Sequence, residues 1–318
     1  MTLSLGVVMD PIGSISVKKD STYAMLLEAQ ARNWDIRYME QNDLSMRDGK
    51  PLGHTQRLEL SHDPDRWFEL NDPKTIELAD LDVILMRKDP PFNMDYVYTT
   101  YLLEQAETRG VLVVNRPASL RDANEKLFTA WVPECTPPTL VASKYSDLRG
   151  FLTQQKDIIL KPLDGMGGAS IFRLTLKDPN ISVVMETLTR YETRFIMAQR
   201  YIPEVVHGDK RVLMVNGEPV DFALARIPPP GETRGNLAVG ATGEGVPLSE
   251  RDRWICSRLT DVLLERGIMF AGLDIIGDYL TEINVTSPTC IRELDAIYNL
   301  NISGMLLDAI ESKLSSGS

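Results

Sequence analysis

Short strand-like runs alternate with helical patterns along the first 120 residues, and this alternation restricts the folds open to the chain more than any other feature. The runs lie at Leu3 to Met9, Asp35 to Met39, Val83 to Met86 and Val111 to Val114. Residues 21–32 and 96–110 have helical patterns, and the second ends on a glycine suited to a helix C-terminus. Strands alternating with helices indicate an open α/β layer. We predict such a layer, with the polar segment 42–74 as an irregular excursion or small hairpin.

The next part of the chain carries a strand, a glycine-rich turn and a second strand. A helical pattern from Leu120 to Trp131 is broken by prolines, which places a domain boundary near residue 121. The two strands are predicted at 157–162 and 169–174, and a helix is predicted at 180–190. We expect an α/β chain, α+β overall, with domains at 1–121, 122–203 and 204–318.

The C-terminal part contains three clear local signals. Asn216-Gly217 lies between two apolar runs and predicts a tight hairpin. The segment 227–245 contains three consecutive prolines and five glycines, so we predict a long mobile loop. Ser249 to Asp252 is a capping signal for a helix that runs to Gly267. A hairpin over 269–285 and a helix from about Ser303 complete the prediction.

Charge and cysteine content exclude several classes of protein. The formal net charge of −11 argues against nucleic-acid binding, which uses a basic surface. Three cysteines without a CxxC spacing argue against a disulfide framework or structural zinc and for a reducing compartment. No apolar run is long enough to span a bilayer, and the first ten residues are typical of a buried strand rather than a signal peptide. We therefore expect a cytoplasmic protein with no membrane or nucleic-acid partner.

A glycine-rich turn, Gly165-Met166-Gly167-Gly168, closely follows a strand that carries Lys161. Glycines let backbone N–H groups converge on phosphate oxygens, although an isolated glycine cluster is more often a plain turn. A lysine in an otherwise apolar strand is unfavourable unless an anion lies beside it. We therefore interpret Lys161 and the turn as phosphate contacts. For Lys126, the residues leave a phosphate contact and a solvated helix lysine equally open.

Asp274, Glu282 and Asn284 offer the hard oxygen donors that magnesium prefers when it also binds phosphates. Glu282 and Asn284 are two residues apart in a predicted strand and share one face. A two-residue hairpin loop at Gly277-Asp278 would send Asp274 to the other face, whereas a three-residue loop through Tyr279 would place it opposite Glu282. We predict the three-residue register and a metal site, with a solvated polar face as the alternative.

Three arginines are candidates for contact with the substrate. Arg211 and Arg226 lie in or beside apolar strands, and a guanidinium group suits bidentate recognition of carboxylate or phosphate. A structural salt bridge is the alternative for either one alone. Arg234 lies in the predicted loop between glycines, where it could be carried over a bound substrate and exclude water. The alternative for this segment is a plain surface loop.

No nucleophile of the Ser-His-Asp or Cys-His kind is apparent. His54, His62 and His207 lie in polar, loop-like surroundings, and Cys290 is interpreted as structural. A reaction that needs a protein nucleophile is therefore not indicated.

An ordered series of motifs runs nearly from end to end of the chain. It comprises Val8-Met9-Asp10-Pro11, Met86 to Phe92, Asn124-Glu125-Lys126, Leu160 to Gly168, Gly208 to Arg211, Gly231 to Asn236 and Thr281 to Pro288. This series resembles the bacterial glutathione synthetases, which are ATP-grasp ligases. The resemblance implies an ATP-grasp fold behind an N-terminal α/β domain and a homotetramer. It also implies ATP-dependent joining of γ-glutamylcysteine and glycine through an acyl phosphate.

The resemblance also implies roles for individual residues. Nucleotide contacts are expected from Lys126, Lys161, Gly165, Met166, Gly167, Gly168, Gln199, Arg200, Tyr201, Ile202 and Asp209. Magnesium, with manganese as the alternative ion, is expected on Asp274, Glu282 and Asn284. Catalytic contacts with the substrate and the acyl phosphate are expected from Arg211, Arg226 and Arg234. Further substrate contacts are expected from Arg87, Lys88, Asn284, Ser287 and Thr289.

Two features depart from the family pattern. Pro228-Pro229-Pro230 and the segment 240–243 stand where a more glycine-rich stretch with a further arginine is expected, and Arg200 stands where a smaller neutral residue is expected. Two rival functions remain. One is an ATP-grasp ligase that joins other amino acids, and the other is a nucleotide-binding regulatory protein without turnover.

Overall fold

The computed structural model describes residues 2–61, 63, 66–165, 169–229, 240 and 242–316. The N-terminal part folds around a seven-stranded sheet in the order β3-β4-β2-β1-β6-β7, with β5 also paired to β4. Its strands are β1 (Ser4–Val8), β2 (Asp35–Met39), β3 (Leu44–Arg47), β4 (Lys50–Leu60), β5 (Phe68–Glu77), β6 (Val83–Met86) and β7 (Leu112–Val114). Its helices are α1 (Ser21–Ala31), α2 (Met94–Glu107) and α3 (Pro117–Asp122). The strands β2, β1, β6 and β7 are parallel neighbours, so the predicted open α/β layer is confirmed.

The segment 42–74 is more regular than predicted. It forms β3, β4 and much of β5, which pair antiparallel and extend the sheet beyond β2. Along β4 the inward positions include Pro51, Gly53 and Thr55, which are buried without being large and apolar. The alternation of buried and exposed residues is therefore real, but hydrophobicity does not reveal it.

The middle of the chain forms a four-stranded antiparallel sheet in the order β10-β9-β11-β8. Its elements are β8 (Thr139–Ala142), α4 (Tyr145–Gln155), β9 (Asp157–Pro162), β10 (Phe172–Thr175), α5 (Ile181–Thr189) and β11 (Ile196–Arg200). Both helices pack on this sheet around Leu148, Leu152, Leu160 and Leu188, which form a core of their own. The predicted first strand and helix are confirmed, while the second strand begins at Phe172 and not at residue 169.

The helix predicted over residues 120–131 is interrupted. The helix α3 ends at Asp122, and a 3-10 segment spans Leu127–Trp131. Between them the Asn124 carboxamide oxygen accepts hydrogen bonds from the backbone N–H groups of Lys126 (3.2 Å) and Leu127 (2.9 Å). This local cap replaces the helical hydrogen bonds, so Lys126 lies at a break instead of on a helix face.

The C-terminal part forms a five-stranded antiparallel sheet in the order β14-β13-β12-β15-β16. Its elements are β12 (Asp209–Val215), β13 (Glu218–Ile227), β14 (Thr242–Pro247), α6 (Glu250–Glu265), β15 (Phe270–Ile276), β16 (Tyr279–Asn284), α7 (Ile291–Tyr298) and α8 (Ile302–Ser316). Asn216 and Gly217 both have positive φ, at 49° and 83°, as the predicted tight hairpin requires. Ser249 and Asp252 form the predicted capping box.

Two predictions for this part need correction. The loop predicted over 227–245 overlaps β14, which pairs along β13, while most of the remainder lies outside the described residues. The helix α7 was not predicted. It is only eight residues long and follows Pro288 and the polar residues after β16, although Ile291, Leu294 and Tyr298 recur at helical spacing.

The N-terminal sheet and the C-terminal sheet are fastened together by Asn115, which follows β7. Its Nδ2 donates to the carbonyl oxygens of Phe270 and Val285, each at 2.7 Å. Its Oδ1 accepts from the N–H groups of Met269 at 2.8 Å and Phe270 at 2.9 Å. A buried carboxamide with all of these bonds made fixes where the two sheets meet. Among the described helices none is long and apolar enough to cross a membrane.

Candidate functional site

The site begins with Lys161, near the end of β9, whose side chain is buried. Its Nζ donates to the carbonyl oxygen of Thr281 at 3.2 Å and lies 3.8 Å from Glu282 Oε1. Burial lowers the pKa of Lys161, although Glu282 acts in the opposite direction. An ammonium group this buried, with its nearest acid this far away, is available to a phosphate.

Lys126 is buried as well, with a side chain only 3% exposed, so the alternative of a solvated helix lysine is excluded. Its Nζ donates to Glu125 Oε1 and to the carbonyl oxygen of Gly165 (2.6 Å), and lies 3.6 Å from Glu282 Oε1. Burial acts to lower the pKa of Lys126, but Glu282 and Glu125 outweigh it and raise the pKa. The two lysines thus converge on Glu282 from different elements, Lys161 from β9 and Lys126 from the break before the 3-10 segment.

Asp274 lies directly opposite Glu282 in the β15–β16 hairpin, as predicted. The reason differs from the one expected, because Ile276 pairs with Tyr279 across the two-residue loop Gly277-Asp278. A β-bulge between the Asp274 and Ile275 pairs then leaves Thr281 as the additional residue and restores the register. The predicted facing acids are therefore confirmed, while the predicted three-residue loop is wrong.

Asn284 completes the predicted set of metal donors at the next position on the same face. It lies opposite Gly272, and its Nδ2 donates to the Gly272 carbonyl oxygen at 3.1 Å. This bond fixes the amide nitrogen, and the amide oxygen accepts no hydrogen bond from the residues that the structure describes. Glu282 and Asn284 therefore present oxygen atoms of the kind that a hard divalent cation accepts.

Arg211 and Arg226 form a tight cluster with two buried acids. Arg211 lies opposite Asp274 across β12 and β15 and holds it through two bonds, of 2.5 Å and 3.1 Å. Arg226 lies opposite Asp209 and contacts Asp209 at 2.5 Å and Asp274 at 2.9 Å. Burial acts to raise the pKa of Asp274, but the two arginines hold it well below its usual range. The salt-bridge alternative is thus realised for both arginines in the described structure.

One oxygen in this cluster has no hydrogen-bond partner in the described part of the chain. Asp209 Oδ1 is buried and makes no hydrogen bond within the described residues. Burial raises the pKa of Asp209 to about 6, and Arg226 opposes this shift. A buried acceptor without a donor is a position where a ligand hydroxyl group would be bound.

The floor of the cluster is closely packed beneath Arg211. An added Cβ at Gly272 would lie 2.9 Å from Arg211 Cδ and 2.9 Å from Pro288 Cβ. Only glycine leaves room for the guanidinium stem between β15 and the segment after β16.

The predicted substrate residues gather where the N-terminal sheet meets this segment. Arg87 is buried and donates to Thr22 Oγ1 at 3.1 Å and to the Pro288 carbonyl oxygen at 2.9 Å. Burial lowers the pKa of Arg87, and no described carboxylate lies within 4.0 Å of it, so it could pair with a ligand carboxylate. The other members make protein contacts: Lys88 with Asp10 (2.7 Å), Ser287 with Asp89, and Thr289 with Cys290 Sγ (3.8 Å).

The predicted adenine residues lie at the end of β11 and just after it. Gln199 Nε2 donates to Thr139 Oγ1 at 3.1 Å, and the Arg200 guanidinium donates to the Tyr279 hydroxyl at 2.8 Å. The Arg173 guanidinium lies over the Tyr201 ring at 3.6 Å, and Ile202 is buried. Arg200 is therefore engaged with the C-terminal sheet. The predicted residues Met166, Gly167, Gly168 and Arg234 lie outside the described residues.

Three residues near the site were not predicted. Glu125 contacts Lys126, and its carbonyl oxygen accepts from the Ile283 N–H at 2.8 Å. Glu293 Oε2 is buried without a hydrogen bond to any described residue, in the first turn of α7. Cys290 caps α7 with a φ of 90° and is buried close to Arg211 and Arg226. Glu125 could have been found from its place beside Lys126, and the helical spacing of Ile291, Leu294 and Tyr298 could have marked α7.

Comparisons with known proteins place these findings in a family. Residues 3–121 match the model of the prokaryotic glutathione synthetase N-terminal domain, and residues 125–299 match that of its ATP-grasp domain. The glutathione synthetase of Pseudomonas putida is 62% identical over 314 residues, which is 99% of each chain. That of Yersinia pestis is 58% identical over 313 residues, 98% of each chain.

Solved structures share the fold at much lower identity. The D-cycloserine synthetase DcsG matches with a TM-score of 0.66 at 14% identity, covering 96% of this chain and 99% of that chain. The ATP-grasp ligase PsnB, solved with a minimal precursor, Mg and ADP, matches with a TM-score of 0.64 at 15% identity, covering 98% of each chain. The predicted ATP-grasp fold is confirmed.

Proposed function

The chain belongs to the prokaryotic glutathione synthetase family, and from that membership we propose that it joins γ-glutamylcysteine to glycine with conversion of ATP to ADP and phosphate. One observation of the site carries the proposal. Two buried lysines from separate elements, Lys126 and Lys161, meet Glu282 at the face where Asp274 and Asn284 also lie. The lysine ammonium groups that would bind phosphates therefore lie next to oxygen donors that would bind a divalent cation.

The reaction proceeds in two steps. A carboxylate oxygen of γ-glutamylcysteine attacks the γ-phosphorus of ATP, which forms an acyl phosphate and releases ADP. The glycine amine then attacks the acyl carbon, so that an amide bond forms, phosphate leaves and the amine proton passes to solvent. Phosphoryl transfer of this kind depends on positioning and charge neutralisation, which explains why no protein nucleophile is required.

Individual residues then have distinct tasks. Lys126 and Lys161 neutralise the phosphate oxygens, and residues 165–168, predicted as a glycine-rich turn, cover them. Gln199, Arg200, Tyr201 and Ile202 line the adenine, and Asp209 Oδ1, which lacks a described partner, accepts a hydrogen bond from a ribose hydroxyl. Arg211 and Arg226 bind the reacting carboxylate and the acyl phosphate from the rim of their acid cluster, with Arg234 as the third arginine.

The peptide substrate occupies the junction of the N-terminal sheet and the segment after β16. Arg87, which has no described acid partner, binds a substrate carboxylate, and Lys88, Ser287 and Thr289 line the same junction. Asn284 contributes to substrate binding as well as to the metal. Glu293, whose Oε2 is buried without a described partner, is suited to an ammonium group.

ATP-grasp ligases use ATP with divalent cations, and we propose Mg²⁺ here, with Mn²⁺ as the alternative. The donors fit, because Glu282 and the Asn284 amide oxygen are hard ligands on one face. Asp274 is held by arginines, and within the described ranges no three His, Cys, Asp or Glu side chains could hold a metal by themselves. Such an ion, shared with the phosphates, would neutralise charge on the transferred group.

The proposal extends to assembly and organisation. A homotetramer in the cytoplasm and domains at 1–121, 122–203 and 204–318 remain predictions. The domain ranges are supported by the sheets, since each range contains one of the three.

ADP formation with different substrates tests the function. Purified protein with ATP and Mg²⁺ should form ADP only when γ-glutamylcysteine and glycine are both present. A panel of other acids and amines separates this ligase from one that joins different amino acids. Nucleotide binding without ADP formation on any pair would indicate the regulatory alternative and overturn the proposal.

A further inference from the structure

Glu125 is the nearest acid to the Lys126 ammonium, yet no step of the reaction uses it. Its Oε1 accepts directly from Lys126 Nζ, whereas Glu282 Oε1 lies 3.6 Å from the same nitrogen. The Glu125 carboxylate is largely buried, and its carbonyl oxygen is fixed to Ile283 in β16 by a 2.8 Å bond. The residue is thus held at the site by its backbone, independently of its side chain.

We propose that Glu125 is a positioning residue that holds Lys126 in place of a phosphate, so that the nucleotide must displace the Glu125 carboxylate to bind. This inference rests on the proposed function, because it assumes that Lys126 contacts the nucleotide. An ammonium has three N–H donors; two are directed to Glu125 and to the Gly165 carbonyl oxygen, and Glu282 Oε1 lies 3.6 Å from the same nitrogen, so a phosphate gains a donor by replacing one of these groups. The carboxylate and a phosphate are both anionic acceptors, and they compete for the same cation.

The charges around Lys126 determine how the exchange of Glu125 for a phosphate affects nucleotide affinity. When Lys126 turns to a phosphate, Glu125 and Glu282 remain as neighbouring carboxylates with one fewer cation between them. Glu282 already acts to raise the pKa of Glu125, in addition to burial, which is the larger cause. A divalent cation that arrives with the nucleotide relieves this repulsion. Glu125 therefore makes nucleotide binding weaker than Lys126 alone would allow and couples it to the cation.

The variant Glu125→Gln tests whether the Glu125 carboxylate competes with the nucleotide for Lys126 or only supports the structure around Lys126. Glutamine keeps the size and the backbone bond to Ile283 but removes the charge, and Glu282 keeps Lys126 ionised. Competition predicts that ADP with Mg²⁺, measured by titration calorimetry, binds about tenfold more tightly to the variant, and that KM for ATP falls. A structural role predicts the opposite, because a displaced Lys126 weakens binding. Slower release of ADP should lower kcat along with KM.

Two further variants complete the test. Glu125→Asp keeps the charge at a shorter reach, so its ADP affinity should lie between those of the wild type and Glu125→Gln, and it remains informative if the glutamine variant does not fold. Glu104→Gln breaks a comparable pair with Arg121 (2.8 Å) away from the site and should leave ADP affinity unchanged.

Unchanged or weaker ADP binding in the Glu125 variants would overturn the inference. Failure of the proposed function is seen separately, as absent ADP formation by the wild type with γ-glutamylcysteine and glycine.

Discussion

The two lysines and the two arginines of the site are both buried among acids, but they are paired very differently. Arg211 and Arg226 contact Asp274 and Asp209 at 2.5 to 3.1 Å, as cross-strand partners within one sheet. Lys161 lies 3.8 Å from its nearest acid, Glu282, and Lys126 lies 3.6 Å from Glu282 in addition to its direct contact with Glu125. The arginines come from adjacent strands, whereas the lysines approach from separate parts of the chain.

The difference indicates which charges belong to the fold and which serve the ligand. Cross-strand ion pairs form when the sheet forms, and breaking one leaves a buried charge without a partner. Lys161 is buried without a close acid, so its charge is compensated fully only when phosphate is present, whereas the charge of Lys126 is compensated by Glu125 until the nucleotide binds. We therefore expect the arginine cluster to contribute strongly to stability in addition to its proposed substrate contacts, and the lysine pair to contribute mainly to turnover.

The largest effect is expected when Asp274 loses its charge. Asp274→Asn leaves Arg211 without its only described acid partner and Arg226 with one, so the free energy of unfolding should fall by about 3–5 kcal/mol. Urea unfolding measures the change. Asp221→Asn breaks an exposed pair with Arg253 (3.0 Å) and should cost less than about 1 kcal/mol. Equal costs for the two variants would remove the distinction between the clusters.

Loss of the Lys161 charge should reduce activity strongly and stability little, the reverse of the emphasis expected for Asp274. Lys161→Met keeps the side-chain length and removes the charge, so ADP formation should fall by about 100-fold or more, as for other electrostatic contacts to a transferring group. Stability should be unchanged or higher, because burial lowers the pKa of Lys161 and the charged form is unfavourable there. Lys177→Met, at an exposed position, is the control. A large loss of stability in Lys161→Met would show that the Lys161 charge, like those of the arginines, is compensated within the fold.

Much of the fold could be predicted from local signals, while the partners within the site could not. The parallel strands, the Asn216-Gly217 hairpin and the Ser249 capping box each follow from a few neighbouring residues. Asp274 was placed opposite Glu282 correctly, but the cause is a bulge at Thr281, which no turn residue announces. That Arg211 would hold Asp274 depends on pairing between strands distant in sequence. The burial of Lys126 depends on a side-chain cap by Asn124 that competes with a helix.

Gly272 provides an intermediate test, because it supports the arginine cluster without carrying charge. In Gly272→Ala the new methyl would lie 2.9 Å from Arg211 Cδ and from Pro288 Cβ, so unfolding free energy should fall by about 1–3 kcal/mol. Gly150→Ala, in α4, has no atom within 4 Å of the new methyl and should stabilise by about 0.5–1 kcal/mol. Thermal unfolding of both variants gives the comparison, and a neutral Gly272→Ala would show that Arg211 is not closely confined.

A pH-dependent effect concerns Asp209, the acid of the arginine cluster whose Oδ1 has no hydrogen bond to a described residue. Burial raises the pKa of Asp209 to about 6 in the folded state, against an unfolded value of about 3.9. Between these values the native protein binds more protons than the unfolded chain, so this group makes stability decrease as pH rises from about 4 to 6, with no further change above. Asparagine does not titrate. The stability of Asp209→Asn relative to the wild type should therefore increase over this window, whatever the constant loss from the missing Arg226 contact.

Urea unfolding at several pH values measures the slope, with Asp157→Asn, which breaks a partly exposed pair with Arg173 (2.7 Å), as the control. Parallel pH profiles for Asp209→Asn and the wild type would mean that Arg226 fully compensates the Asp209 charge. They would contradict the role of Asp209 Oδ1 as an acceptor for a ligand hydroxyl group.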